Sequence, residues 1–185
     1  MILQPKILKT DKIIGSNIIL RNVTPDDARF IVEARTNEKK SKFISKTSSD
    51  VIKQREWLEN YCKSEDQAYF IITNKEGSPY GTVRIYDPQG TSFCWGSWVI
   101  KDGAPNNCAI ESALLVYYYA LFLGFENCHF DVRKGNNSVI KFHERFGAIR
   151  TGENELDYFF EIKKNKIELS LEKYKKFLPL EVKII

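Results

Sequence analysis

The stretch NNSVIKFHERFGA, residues 136 to 148, puts an ionisable ring where a helix would bury it. At helical spacing Val139, Phe142, His143 and Phe146 fall at i, i+3, i+4 and i+7, a single apolar stripe. A histidine ordinarily titrates close to neutrality, so a ring at that place is suited to passing a proton to or from a reacting group. The alternative is a core histidine tied to a carboxylate or carbonyl. Earlier in the chain Arg84 and Tyr86 lie two residues apart in a strand-like run and must share a face. Trp95 and Trp98 follow on the next strand, and some of these aromatics are expected on the open side of a sheet. A guanidinium beside aromatic rings suits a substrate with a phosphate and a flat base or sugar ring, although strand aromatics also serve as plain core.

Positioning these groups requires alternating elements. Residues 17–23 (NIILRNV) read as a strand, and TPDDARFIVEARTN opens a helix with Thr24 as N-cap, Pro25 at the first helical position and acids in the first turn. Residues 50–65 form a second amphipathic helix with Val51, Trp57, Leu58 and Tyr61 on or near one face. Residues 67–87 are two strands around a Gly/Pro turn, and 91–103 a third. A helix in 107–123 closed by Gly124, a strand at 128–134 and the 136–148 helix come next. Residues 149–168 read as a closing pair of strands with KKNK (163–166) at the solvated tip, and LSLEKYKKFL (169–178) as a last helix before Pro179. This order predicts one α/β (α+β) domain over residues 1–185, with a mixed central sheet of six to seven strands flanked by helices. A right-handed crossover through the 107–123 helix makes the strands on either side of it parallel neighbours, and a ligand is expected where they part.

Composition excludes several functions. With 185 residues, 43% hydrophobic and 28% charged, the chain has ordinary globular make-up. A net charge of +4 is too weak to imply nucleic acid unless it clusters, and KKNK and EKYKK cluster it only mildly. The first residues, MILQPKILKTDK, lack the apolar run of a signal or anchor, and ALLVYYYALFLGF (113–125) is too short to span a bilayer. A soluble, cytoplasmic protein with no membrane association is expected. Cys62, Cys94, Cys108 and Cys128 form no C-x-x-C pair, and His129 and His143 lack metal-site spacing, so the cysteines are expected reduced and mostly buried, with no metal.

Several stretches together resemble the GCN5-related N-acetyltransferase superfamily, within it the group of RimJ/RimL-type enzymes and nucleotide-sugar amine acetyltransferases. IILRNVTPDDARFI is similar to its first strand and helix, YFIITNKEGSPYGTVRIYD to its central hairpin with a mid-hairpin glycine, and WGSWVIKDG to the strand that receives the acetyl group. The most specific match is at 136–148, where Asn136, Val139, Phe142, His143, Phe146 and Gly147 keep the signature's spacing. The resemblance implies acetyl-CoA as co-substrate and a small-molecule amine as acceptor, and it is compatible with a homodimer. It implies that free backbone groups at Trp98, Val99 and Ile100 hold the pantetheine and polarise the thioester, and that Asn136 contacts the pantetheine arm, beside its plain reading as a helix N-cap. His143 takes the place of the tyrosine that protonates the departing CoA thiolate.

The pyrophosphate loop departs from the family's pattern. Its usual cation and first glycine are Ala104 and Asn107 here, Pro105 removes an amide donor, and Ala109 keeps the final small residue. Asparagine tolerates left-handed backbone, so Asn106 and Asn107, with Cys108 and Ala109, are expected to rebuild the anion site. Lys101, Arg133, Lys134 or Arg145 would supply charge. Cys94 stands near the position where many relatives carry a catalytic glutamate. Asp87 and Asp131 fall at strand ends facing the expected cleft, and no base is assigned. With Arg84, Tyr86 and Trp95 as acceptor contacts, the favoured substrate is a nucleotide-linked amino sugar in surface-polysaccharide synthesis. A protein N-terminal acetyltransferase and a non-catalytic binding subunit of the same fold are the alternatives.

Overall fold

The computed structural model describes residues 4–37, 41–44, 46 and 48–185. Strand β1 (Lys12–Ile14) and β2 (Ile18–Asn22) lead into a 3-10 turn, Pro25–Asp27, and helix α1 (Ala28–Thr36). The Asp27 carboxylate accepts the Thr24 amide at 2.8 Å and pairs with Arg21 at 2.7 Å, which fixes the entry to α1. Helix α2 (Val51–Lys63) starts on the Asp50 side chain, which accepts from the Ile52 and Lys53 amides. Strands β3 (Ala68–Asn74), β4 (Pro79–Gln89) and β5 (Ser92–Ile100) form an antiparallel meander. Helix α3 (Cys108–Phe122), β6 (Asn127–Arg133), α4 (Asn137–Arg145), β7 (Ile149–Glu153), β8 (Asp157–Lys163), α5 (Lys164–Lys173) and β9 (Lys183–Ile184) complete the chain.

The nine strands among the described residues join one sheet in the order β7-β8-β6-β5-β4-β3-β2-β1-β9, mixed because among them only β5 and β6 run parallel. The expected six to seven strands lacked β1 and β9, which pair with each other at the far edge and are too short to carry a periodicity of their own. The chain also turns from β8 directly into α5, so Lys164 and Lys166 lie in a first helical turn and not at a hairpin tip. The buried Ile167 and Ser170 and the partly buried Leu171 and Tyr174 give the helical spacing that drives this, against a closely packed Gly147.

The sheet separates two cores. The larger holds Phe70, Ile72, Val83, Ile85, Phe93 and Phe130 against α3 and α5, and α3 is buried almost all round. The smaller, under α1 and α2, holds Ile31, Leu58, Tyr61, Tyr69 and Ile71. Helix α1 reaches across this face as far as β4 and β5, and the face also carries a cleft bordered by β4, β5 and β6. Among the described residues no helix is long and apolar enough to cross a membrane.

One buried charge ties the layers together. Glu111, in the first turn of α3, is fully buried and accepts from the Asn17 amide at 2.7 Å, the Asn17 side chain at 3.0 Å and the Ile18 amide at 3.3 Å. Gly15 leaves room for it, since a Cβ there would lie 2.5 Å from the carboxylate. Glu111→Ala should lower unfolding free energy by about 2 to 3 kcal/mol, because donors of the β1–β2 turn lose their acceptor. Urea denaturation measures it as a lower midpoint at unchanged slope.

Candidate active site

The site is a gap in the sheet. Strands β5 and β6 pair only at Ser92–Asn127 and Phe93–Cys128 and then diverge, while β6 stays paired to β8 along its whole length. The bend lies in β5, where Ser97 and Trp98 oppose the single residue Val83 of β4. Ser97 takes a left-handed φ of +48°, and its carbonyl is held by the Thr82 hydroxyl at 2.6 Å. Gly81 permits the contact, since a Cβ there would fall 2.1 Å from the Val99 carbonyl oxygen. The divergence leaves one edge of Trp98 and Val99 without a strand partner among the described residues, and a cleft of about 660 Å³ passes between the strands.

On the helical side the cleft is walled by Trp95, Trp98, Phe130, Val139, Asn136 and His143. His143 is 5% exposed and lies 4.2 Å from the Phe130 ring, 5.3 Å from Trp95 and 5.7 Å from Phe142, centre to centre. Its Nδ1 is buried with no hydrogen-bond partner among the described residues, so the alternative of a core histidine tied to a carboxylate or carbonyl is not what this nitrogen shows. Loss of water lowers the ring to about 3, which leaves it neutral at pH 7 and not titrating near neutrality as its residue type suggests. Asn136 precedes α4 without capping it; its side-chain oxygen accepts only a long 3.4 Å bond from Ser138.

Trp95 and Trp98 are both turned toward α3, where their indole nitrogens donate to Tyr117 and Ser112 at 3.2 and 3.0 Å. Of the aromatics expected on the open side, Tyr86 lies there with Arg84 and these two tryptophans do not, so Trp95 is not an open-side contact for an acceptor. Three residues apart, they would lie on opposite faces of a regular strand, but the bulge at Ser97 restores them to one face, with ring centres 5.1 Å apart. Trp95 therefore lines the cleft from the side opposite Arg84 and Tyr86.

The open side is built by Trp57, Tyr69, Arg84, Tyr86, Gly96, Asp131, Arg133 and Asp157, with Lys46 and Lys53 at the lip. The Arg84 guanidinium stacks on the Tyr86 ring at 4.2 Å, confirming the shared face, and lies 5.6 Å from the Trp57 ring. Among the described residues Arg84 Nε is buried without a hydrogen-bond partner and Arg84 makes no ion pair. Gly96 leaves room for Tyr86, whose hydroxyl would stand 3.0 Å from any Cβ there. Trp57 escaped the site reading because its helical spacing marked it as core; its ring stacks on Tyr61 but is 37% exposed toward the cleft. Asp87 is drawn away to His129, 3.1 Å distant.

The loop before α3 lies outside this cleft. Its left-handed step is taken by Gly103, at φ +83°, while Asn107 enters the helix in right-handed geometry, so the expected left-handed asparagines are not how the turn is made. The Cys108 amide is spent on the Pro105 carbonyl at 2.9 Å, and its thiol is buried and pushed up to about 11 by loss of water. The amides of Asn106, Asn107, Ala109 and Ile110 find no acceptor among the described residues. Lys101 is exposed beside this loop, and Arg145 sits on the outer face of α4 with Ser138, Lys141 and Glu144. Among the described residues no cluster of three His, Cys, Asp or Glu side chains is arranged to hold a metal ion.

Residues 17–149 match the family model of the acetyltransferase (GNAT) domain. Among solved structures, apo FdhC, a nucleotide-linked sugar GNAT, is 40% identical with a TM-score of 0.80, over 89% of this chain and 97% of that one. A GCN5-related N-acetyltransferase from Brucella melitensis is 18% identical, TM-score 0.75, over 97% and 90%. The spermidine N-acetyltransferase of Vibrio cholerae, in complex with CoA and spermine, is 14% identical, TM-score 0.72, over 82% and 98%, a likeness of fold alone. No curated protein matches the chain.

Proposed function

The chain belongs to the GNAT acetyltransferase family, and from that premise we propose that it moves an acetyl group from acetyl-CoA to the primary amine of a nucleotide-linked amino sugar, in the cytoplasm, for surface-polysaccharide synthesis. The observation that carries the acceptor class is Arg84: a guanidinium with no carboxylate among the described residues, framed by the Tyr86 and Trp57 rings on the open side of the gap. Such a group has fork geometry for a phosphate, and an exposed indole beside it offers a face to a nucleobase. Lys46 and Lys53 add positive charge at the same lip. The 40% identity to a nucleotide-linked sugar GNAT supports the same class.

Acetyl-CoA supplies an acyl group activated as a thioester. The chain's residues fit it on the helical side: unpaired amides at the start of α3 for the pyrophosphate, the free edge of β5 for the pantetheine and the uncapped Asn136 side chain beside it. The free edge of β5 at Trp98 and Val99 polarises the carbonyl. His143, neutral at rest, keeps one N–H. That N–H steadies the departing sulfur as it becomes negative, until the proton released from the amine reaches it. Trp95, Trp98 and Phe130 keep water from that side.

Calorimetric titration with acetyl-CoA and an assay panel of nucleotide-linked amino sugars against amino-terminal peptides test this reading. Binding in the micromolar range with turnover of the sugars is expected. Asn107→Pro removes one cradle amide and should weaken acetyl-CoA binding about tenfold, whereas Asn107→Gly should leave it intact. Turnover of peptides alone would replace the acceptor class, and no binding at millimolar acetyl-CoA would leave only a binding subunit.

A further inference from the structure

The open side of the cleft carries two carboxylates, Asp131 and Asp157. Asp157 is engaged by Arg133 at 2.8 Å, while Asp131 forms no ion pair among the described residues. Strand β6 explains where Asp131 faces. Phe130 and Val132 turn into the larger core beside His143, so Asp131 between them turns the other way, onto the face that also carries Tyr86 and Arg84. It stands past the last pair joining β5 to β6, at the edge of the gap itself.

We propose that Asp131 is the general base that removes a proton from the acceptor's ammonium group, a role that rests on the acetyl-transfer reading above. An acyl carbon held in the gap is approached by donor groups from the helical side, which the aromatic wall fills, so the amine must arrive from the Asp131 side. There the carboxylate takes one ammonium proton, and the nitrogen lone pair forms the C–N bond. The C–S bond breaks with its electrons on sulfur, and the second nitrogen proton goes to the thiolate. Protonated Asp131 then returns its proton to water. The rivals on this face serve poorly: burial pushes the Cys94 thiol up to about 12 and raises the Tyr86 phenol as well.

The surroundings favour the role. Asp131 is exposed at the cleft yet partly shielded by its walls, and that partial loss of water first, then the charge of Asp157, raises its carboxyl, with Arg133 acting in the opposite direction. Tyr86 and Arg84 from β4 and Cys94 from β5 face it across the gap, while His129 on its own strand and Glu161 on β8 lie along the same face. A base with a raised pKa is better matched to an ammonium proton.

The test is kcat/KM against pH for whichever amine the wild type acetylates, with acetyl-CoA affinity by calorimetry. Wild-type kcat/KM should fall as pH drops through the Asp131 titration. Asp131→Asn should lose about 10² to 10⁴-fold at pH 7, lack that acid limb, recover as pH rises toward the amine's own pKa, and bind acetyl-CoA normally; Asp131→Glu should regain part of the rate. An Asn variant within threefold of wild type, or one keeping the same acid limb, overturns the assignment. If peptides rather than sugars are acetylated and Asp131→Asn still loses the limb, the acceptor class fails and Asp131 stands. If the wild type acetylates no amine, both fall together.

Discussion

His143→Phe should cut kcat about 10² to 10³-fold while leaving acetyl-CoA affinity and stability at pH 7 nearly unchanged. Phenylalanine keeps the ring volume among Phe130, Trp95, Trp98 and Phe142, and the lost Nδ1 has no hydrogen-bond partner to abandon. A buried polar atom without a partner is a standing cost, so its removal relieves the fold and harms only the chemistry. The rate loss follows because a donor aimed at developing charge works mainly in the transition state. Stability below pH 7 separates the variants further. The unfolded ring takes a proton below its ordinary 6.5, whereas the folded ring refuses one until about 3. Over that window the wild type loses up to about 1.4 kcal/mol per pH unit from this group, and His143→Phe should not. His143→Tyr should recover part of the rate by restoring a donor. A destabilised Phe variant with near-normal turnover would make His143 structural.

What could be read from the sequence was local. Periodicity marked the helical stripe of 136–148, the β3–β4 hairpin and the crossover through α3, and the two-residue spacing of Arg84 and Tyr86 fixed their shared face. What could not be read depends on groups far apart in the chain. The burial that holds His143 neutral comes from rings on β5, β6 and α4 together. The faces of Trp95 and Trp98 turn on a bulge at Ser97, a residue type that gives no signal for left-handed backbone. Asp131 reads, with Asp87, as a strand-end acid facing the expected cleft, but no motif separates the two until the missing β5–β6 pairing sets Asp131 at the gap and Asp87 is seen paired with His129. Trp57 sits on an apolar helical stripe that signals core, and its place at the cleft shows only once α2 is set beside Tyr69 of β3 and Arg84 of β4.

Arg84→Ala should raise the acceptor KM about 10 to 100-fold, with kcat and acetyl-CoA affinity little changed. The guanidinium lies on the opposite side of the sheet from the acetyl-CoA groups and, although it faces Asp131 across the gap, takes no part in the proton transfers, so it binds substrate and transition state alike, and that uniform contribution shows in KM. Its size follows from a charge-assisted bond to phosphate, worth about 1.5 to 3 kcal/mol. The fold tolerates the change, since Arg84 gives up stacking on Tyr86 and Trp57 but no hydrogen bond or ion pair among the described residues. Arg84→Lys keeps the charge without the planar fork and should fall between the two. Added salt should weaken acceptor binding by the wild type more than by the Ala variant, because only the former depends on this attraction. If Arg84→Ala lowers acetyl-CoA affinity and leaves the acceptor KM alone, the residue serves the donor, and the acceptor's phosphate must be sought at Lys46 and Lys53 instead.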